Sequence, residues 1–240
     1  MKAFEIQKSF GLDSLAAVDR PDAIPGPGQV VVRMKAVSLN YRDLLMVRGH
    51  YYPKQPLPLI PLSDGAGEVV LVGDGVTRAK VGDRVMAIFA QRWISGEPTK
   101  AKLLSALGGP LDGTLCEEMV LDEEGLVHVP PHLSWEEAAT LPCAAVTSWS
   151  ALVTEGGIEP GDTVLVLGTG GVSIFALQIA RLHGARVIVT SSSDAKLERA
   201  RALGAAETIN YLATPDWEKR VRELTEGTGA DHVIEVGGGG

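Results

Sequence analysis

The chain has 240 residues, with 30 acidic against 22 basic side chains and a formal net charge of -8. With 45% apolar residues it can bury a core, and at ~100–200 residues per domain it holds one large or two small domains. The acidic balance argues against nonspecific binding to nucleic acid or an anionic membrane, which needs a basic face. No apolar run approaches the ~18 residues of a transmembrane span. The start, MKAFEIQKSFGL, lacks the basic region and apolar stretch of a signal peptide. Two cysteines, Cys116 and Cys143, are too few for a disulfide scaffold and fit a reducing, cytoplasmic setting.

The first half reads as β-structure. Residues 30–34 (VVVRM) are strand-like and follow the turn cluster Pro25-Gly26-Pro27-Gly28. Residues 68–72 form a second strand, and Gly73-Asp74-Gly75 after it signals a hairpin. Residues 80–85 add another turn and strand. Short strands punctuated by Gly and Pro predict a compact barrel or sandwich.

The pattern changes after Val129-Pro130-Pro131, which places a domain boundary after 132. Ser134 with Glu137 three residues on is a capping box that opens a helix. From Gly161 strands and helices alternate. Thr163–Leu167 is a buried-type strand. A helix over 171–183 carries Val172, Phe175, Ala176, Ile179 and Ala180 on one face. Strand 186–190, helix 194–203 ended by Gly204, and strand Glu207–Asn210 follow. Thr214-Pro215 opens a helix with Trp217, Val221 and Leu224 on one side, closed by Gly227, and 232–236 is a fourth strand. Four strands at this spacing predict a parallel, doubly wound α/β sheet.

The run Leu167-Gly168-Thr169-Gly170-Gly171-Val172-Ser173 sets a glycine turn between a strand and a helix. Gly168 permits the tight turn, and Gly170 lets the backbone approach a pyrophosphate. The helix N-terminus offers unpaired N–H groups and a positive dipole end. Ser173 holds the third fingerprint position with a small side chain. The alternative, that these glycines only turn the chain, ignores the strand and helix on either side.

The next strand ends at Thr190-Ser191-Ser192-Ser193. An Asp or Glu usually meets a free ribose 2′-hydroxyl here, and Ser191 stands in that place. Without the acid a 2′-phosphate is not repelled; Ser191 and Ser192 can donate to it, and Lys196 supplies positive charge. The cofactor expected is therefore NADP(H). Serines that merely cap the helix, with Lys196 in solvent, form the alternative.

A β-rich half joined to this nucleotide fold resembles the medium-chain dehydrogenase/reductases. Carrying the resemblance are Leu39-Asn40-Tyr41-Arg42-Asp43, Pro61-Leu62-Ser63-Asp64-Gly65-Ala66-Gly67-Glu68-Val69 and Val81-Gly82-Asp83-Arg84-Val85. Leu141-Pro142-Cys143-Ala144-Ala145-Val146-Thr147-Ser148-Trp149, the GTGGVS loop, Gly204-Ala205 and Ile209-Asn210-Tyr211 complete it. The chain is most similar to the zinc-free, quinone-oxidoreductase-like branch. The resemblance implies a GroES-like β-barrel catalytic domain over 1–132 and a Rossmann dinucleotide-binding domain over 133–240.

It also bears on metal. In zinc-dependent members a Cys, a His and a second Cys hold catalytic zinc; here Asn40, Ser63 and Cys143 stand at those places. One thiolate does not replace three protein ligands. The segment 90–113, which carries four cysteines around a structural zinc in such relatives, has none. Both metal sites are expected to be absent, with Cys143 a small buried hydrophobe. A carbonyl acceptor would then be polarised by hydrogen bonds, and the resemblance points to Asn40, Tyr41 and Tyr51 lining a cleft toward the nicotinamide. Asp43 and Asp64 would orient loops. Thr147 resembles the family threonine on the nicotinamide side, and Tyr211 the tyrosine near the 2′-phosphate with Lys196. For each tyrosine ordinary packing is the alternative.

The leading function is a zinc-independent, NADPH-dependent transfer of hydride to a quinone, enone or other carbonyl acceptor. An alcohol dehydrogenase working in either direction, or a nucleotide-binding redox sensor with little turnover, are the alternatives. The resemblance implies a homodimer, with a small-molecule substrate and no nucleic-acid or membrane partner. A six-stranded nucleotide fold needs two more strands at ~30 residues per βα unit. The ending VIEVGGGG is therefore expected to be the loop after a fourth strand of an incomplete domain.

Overall fold

A computed structural model describes residues 1–237, in two compact units that divide after Cys143, the second beginning at Ala144. Gly238 to Gly240, most of the glycine ending, lie outside the described residues.

In the first unit β1 (Lys2–Ile6) pairs antiparallel with β2 (Leu15–Asp19), Lys2 opposite Asp19 and Ile6 opposite Leu15. Neither strand stands out in the sequence, since each is five residues long and is fixed by its partner rather than by local pattern. Next come β3 (Gln29–Ser38), α1 (Tyr41–Val47), β4 (Asp64–Val72), β5 (Arg84–Ala87) and α2 (Lys100–Leu103). Strands β6 (Glu118–Asp122) and β7 (Leu126–His128) and helix α3 (Trp135–Ala139) complete the unit. Five strands form an antiparallel sheet in the order β6-β3-β4-β5-β7. Beyond its ladder with β2, β1 is joined to the rest of the unit by single bridges, Ala3 to Cys116 and Ile6 to Leu59. Val30, Val32, Val69, Val85 and Leu121 fill the core between these walls.

Two expectations shift here. Gly73 is not the apex of a tight hairpin: its N–H donates to Gln29 O at 2.8 Å, and a Cβ there would lie 1.9 Å from Gly26 O. Close backbone approach demands the glycine, and the chain turns toward β5 at Lys80, whose carbonyl accepts from Asp83 N–H at 3.1 Å. The boundary also moves, from after 132 to after Cys143. Ala138 and Ala139 of α3 are fully buried against Ala66, Met86 and Val129, so this helix belongs to the first core. Its start is as read: Ser134 Oγ accepts from Glu137 N–H at 3.1 Å, and the Glu137 carboxylate accepts from Ser134 N–H at 2.8 Å.

The second unit holds α4 (Val146–Trp149), β8 (Thr163–Leu167), α5 (Gly171–Leu182), β9 (Arg186–Ser191), α6 (Asp194–Ala202), β10 (Glu207–Asn210), α7 (Trp217–Leu224) and β11 (His232–Ile234). All pairings are parallel and the order is β10-β9-β8-β11. Strand direction of travel reverses at β8, the switch point of a doubly wound sheet. Alternation along the strands covers both faces. Val164, Val166, Val187 and Val189 pack on Ala176, Leu177 and Ala180 of α5 and on Leu197 of α6. Leu165, Ile188 and Ile209 face Trp217 and Val221 of α7. Strand β11 is shorter than 232–236 because pairing with β8 stops where Ile234 meets Val166.

Candidate functional site

The carboxyl ends of β8, β9 and β10 place the nucleotide candidates side by side. Leaving β8, Gly168 takes φ +86 and its N–H donates to Thr190 O at 3.0 Å. Gly170 is the N-cap of α5, and no side chain caps that helix. A Cβ on Gly170 would meet no protein atom within 4 Å, so the space before the helix N-terminus is open. Ser173 is buried, and its Oγ donates to Leu167 O at 3.2 Å, stapling helix to strand. Ser148 sits 2.9 Å from Ala144 O and 2.8 Å from Val172 O, sharing one hydroxyl proton between them. This anchors α4 beside the loop of Thr169, Gly171 and Val172, with its neighbour Thr147 exposed.

At the end of β9 Ser191 is opposite Asn210 of β10. Ser191 is buried, its Oγ accepting from Ser193 N–H at 3.2 Å and its carbonyl from Tyr211 N–H at 3.2 Å. Ser192 and Lys196 are exposed, and Tyr211 is 40% exposed. An anion here would meet Ser192 and Lys196 before Ser191. Asn210 Nδ2 donates to Asp194 Oδ1 at 2.7 Å, a pairing that ties up the one carboxylate in the first turn of α6. An open helix N-terminus, an unfilled Gly170 position and an exposed serine and lysine fit a phosphorylated dinucleotide.

The first unit positions the catalytic candidates on α1 and the segment after it. Asp43 reaches back to accept from Asn40 N–H at 2.7 Å, an acid at the third helical position closing the turn. The Asn-x-x-Asp spacing carried that signal in the sequence, where α1 went unread. Tyr41 is 73% exposed at the head of the helix, and Tyr51 is 48% exposed. Arg42, missed by sequence reasoning, lies buried beneath Tyr51 with its guanidinium carbon 4.7 Å from the ring centroid.

Burial pushes the Asp43 carboxyl up to about 6, against the pull of Asn40 N–H and the Arg42 charge. Asp64 is also raised by burial, while Ser63, Asn40 and Cys143 N–H hold it down. Ser63 Oγ donates to Asp64 Oδ1 at 2.8 Å, and Cys143 N–H donates to Oδ2 at 3.1 Å. Both aspartates therefore act as internal braces. Cys143 is half-buried rather than fully buried, and its backbone N–H is held at this carboxylate.

These donors do not fit a catalytic zinc. Asn40 offers a neutral amide, Ser63 spends its hydroxyl on Asp64, and Cys143 is the single thiol of the three. Among the described residues no group of three His, Cys, Asp or Glu side chains could hold a metal ion. In the segment 90–113 the Lys102 ammonium instead donates to Ser95 O at 2.6 Å and Glu97 O at 2.7 Å. No helix among the described residues is long and apolar enough to cross a membrane.

Residues 26–131 match the alcohol dehydrogenase GroES-like domain family, and residues 171–240 match the zinc-binding dehydrogenase family. A zinc-type alcohol dehydrogenase-like protein of Schizosaccharomyces pombe is 52% identical over 214 residues, covering 88% of this chain and 62% of its own. A quinone oxidoreductase of Pseudomonas aeruginosa is 38% identical over 218 residues, covering 90% of this chain and 60% of its own. The solved structure of a candidate alcohol dehydrogenase from Sinorhizobium meliloti superposes with a TM-score of 0.91 at 44% identity, over 100% of this chain and 71% of that one. A GroES-like unit followed by a Rossmann-like unit with this degree of identity leaves one assignment. The chain belongs to the medium-chain dehydrogenase/reductase superfamily. It spans about three fifths of the length of the two curated relatives described above.

Proposed function

We propose that the chain is part of an NADPH-dependent, zinc-independent oxidoreductase that reduces a quinone, an enone or another carbonyl acceptor. The observation that carries this reading is the joint geometry at the ends of β8 and β9. An open glycine turn leads into uncapped α5 beside a strand end that presents Ser192 and Lys196 where an acid would oppose a 2′-phosphate. The cofactor, when bound, supplies hydride from its nicotinamide. Gly168, Thr169, Gly170, Gly171 and Val172 would hold its pyrophosphate on the helix N-terminus. Ser192, Lys196 and Tyr211, with Ser191 behind them, would hold the 2′-phosphate end, and Thr147 would line the nicotinamide side.

On the acceptor side the same reading gives Tyr41 and Tyr51 the hydroxyls that donate to the acceptor oxygen as negative charge develops on it. Asn40, braced by Asp43 and Asp64, orients that region. The donor set of Asn40, Ser63 and Cys143 supports chemistry without zinc, although one matched family and one relative carry zinc in their names. The family resemblance supports a homodimer acting on a small molecule, and the acidic, cysteine-poor composition supports a soluble cytoplasmic protein.

An acceptor screen tests the proposal. NADPH oxidation is followed with quinones, enones and aldehydes, with metal content measured in the same preparation. Turnover without stoichiometric zinc supports the reading. Zinc-dependent oxidation of alcohols would favour an alcohol dehydrogenase, and tight NADPH binding with no turnover would favour a redox sensor.

A further inference from the structure

Arg42 is a buried cation that none of the chemistry above uses directly. It is 8% exposed, so it does not reach an acceptor. Its guanidinium carbon lies over two aromatic rings, 4.7 Å from the centroid of Tyr51 and 5.0 Å from that of Phe89. The edge of the group is pinned at the same time. Nη1 donates to Leu107 O at 3.0 Å, Nη2 reaches Gly108 O at 3.5 Å, and Asp43 Oδ1 lies 3.4 Å from Nη1.

A planar cation held by main-chain carbonyls cannot follow the ring that stacks on it. The ring must follow the cation. Stacking against a guanidinium is favourable only over the ring face, so Arg42 fixes the plane of the half-exposed Tyr51. It also places a full positive charge against the aromatic system whose hydroxyl is the candidate donor. Lysine would keep the charge but lose the planar fork and the stack. Phe89 offers the guanidinium a second ring at 5.0 Å.

We infer that Arg42 is a positioning residue for Tyr51, setting the orientation in which the phenol meets the acceptor oxygen. The inference rests on the reading of Tyr51 as a hydrogen-bond donor in the reaction, and the test separates the two. Tyr41, Tyr52 and Tyr211 are the other tyrosines of the chain. In a Y41F/Y52F/Y211F background with ring-labelled tyrosine, the NMR signal of Tyr51 reports its packing without any turnover. R42M should move and broaden that signal in a protein that still melts cooperatively, and R42K should do so to a lesser degree. R42K is the variant to use where R42M does not fold.

Kinetics in the otherwise unchanged chain form the second arm. R42M should lower kcat at least tenfold with KM for NADPH unchanged, and should add nothing to the loss already caused by Y51F. An unchanged ring signal, or losses that add fully in the R42M/Y51F double variant, overturns the role of Arg42. Wild-type turnover by Y51F overturns the assignment of Tyr51 and the positioning role with it, even where the ring signal follows Arg42. Should no acceptor be turned over, the ring signal alone decides whether Arg42 orders Tyr51.

Discussion

Asp43 carries a charge where the protein disfavours one. Its carboxyl is 2% exposed and pushed up to about 6, chiefly by burial. Because the folded pKa lies above the unfolded one, the folded state holds the proton more tightly. Stability from this group is fullest below about pH 4 and is lost as pH rises toward 6. D43N keeps an oxygen for Asn40 N–H without the charge, so its stability relative to wild type should improve by roughly 2 kcal/mol between pH 4 and 7. Urea denaturation at the two pH values measures this, and a difference independent of pH would remove Asp43 as the cause. Gly170 and Gly168 separate binding from folding. Gly170→Ala adds a methyl to open space and should leave Tm unchanged while weakening NADPH binding about tenfold or more. Gly168→Ala meets φ +86 and should cost ~1 kcal/mol or more of stability as well. The glycine loop was legible because its chemistry is local. Arg42 was not, since its partners Tyr51, Phe89 and Leu107 come together only in the folded unit.

Among the elements, those with their own period were readable. β8 and β10 fall at the residues expected from apolar runs and flanking turns, and α5 and α6 end one residue before expectation; α7 is shorter than the helix expected from Thr214-Pro215 to Gly227, starting at Trp217 and ending at Leu224. The capping box of α3 was equally plain, and Ser134→Ala should cost about 1 kcal/mol in chemical denaturation. A loss near zero would mean that docking of Ala138 and Ala139, not the cap, sets the helix. Elements that take their form from a partner strand escaped notice: β1 and β2, which pair with each other, and also β6 and β7, whose pairing spans long stretches of chain. Ile188 illustrates a position that packing controls. It lies fully buried on β9 between Leu165 and Ile209. Ile188→Ala should destabilise the second unit by roughly 2–5 kcal/mol through lost burial and the cavity left behind. A thermal melt resolving the two units would show the shift in one transition.

For the molecule as a whole, the boundary expected after 132 from the change at Val129-Pro130-Pro131 precedes the division of the two compact units after Cys143 by the stretch that holds α3. The remaining residues of the first unit were hidden because α3 has a helix's pattern and a sheet's partner. Strand order β10-β9-β8-β11 places the candidate loop at the switch point, as a doubly wound sheet requires. Zinc-free, NADPH-dependent reduction is tested most directly by one assay. NADPH and NADH oxidation by a quinone or enone is measured before and after exhaustive removal of metal with a chelator, for wild type and Lys196→Ala. Activity that survives chelation, favours NADPH at least tenfold and loses that preference in K196A is the expected result. Activity abolished by the chelator and restored by zinc, or a preference for NADH, would contradict it.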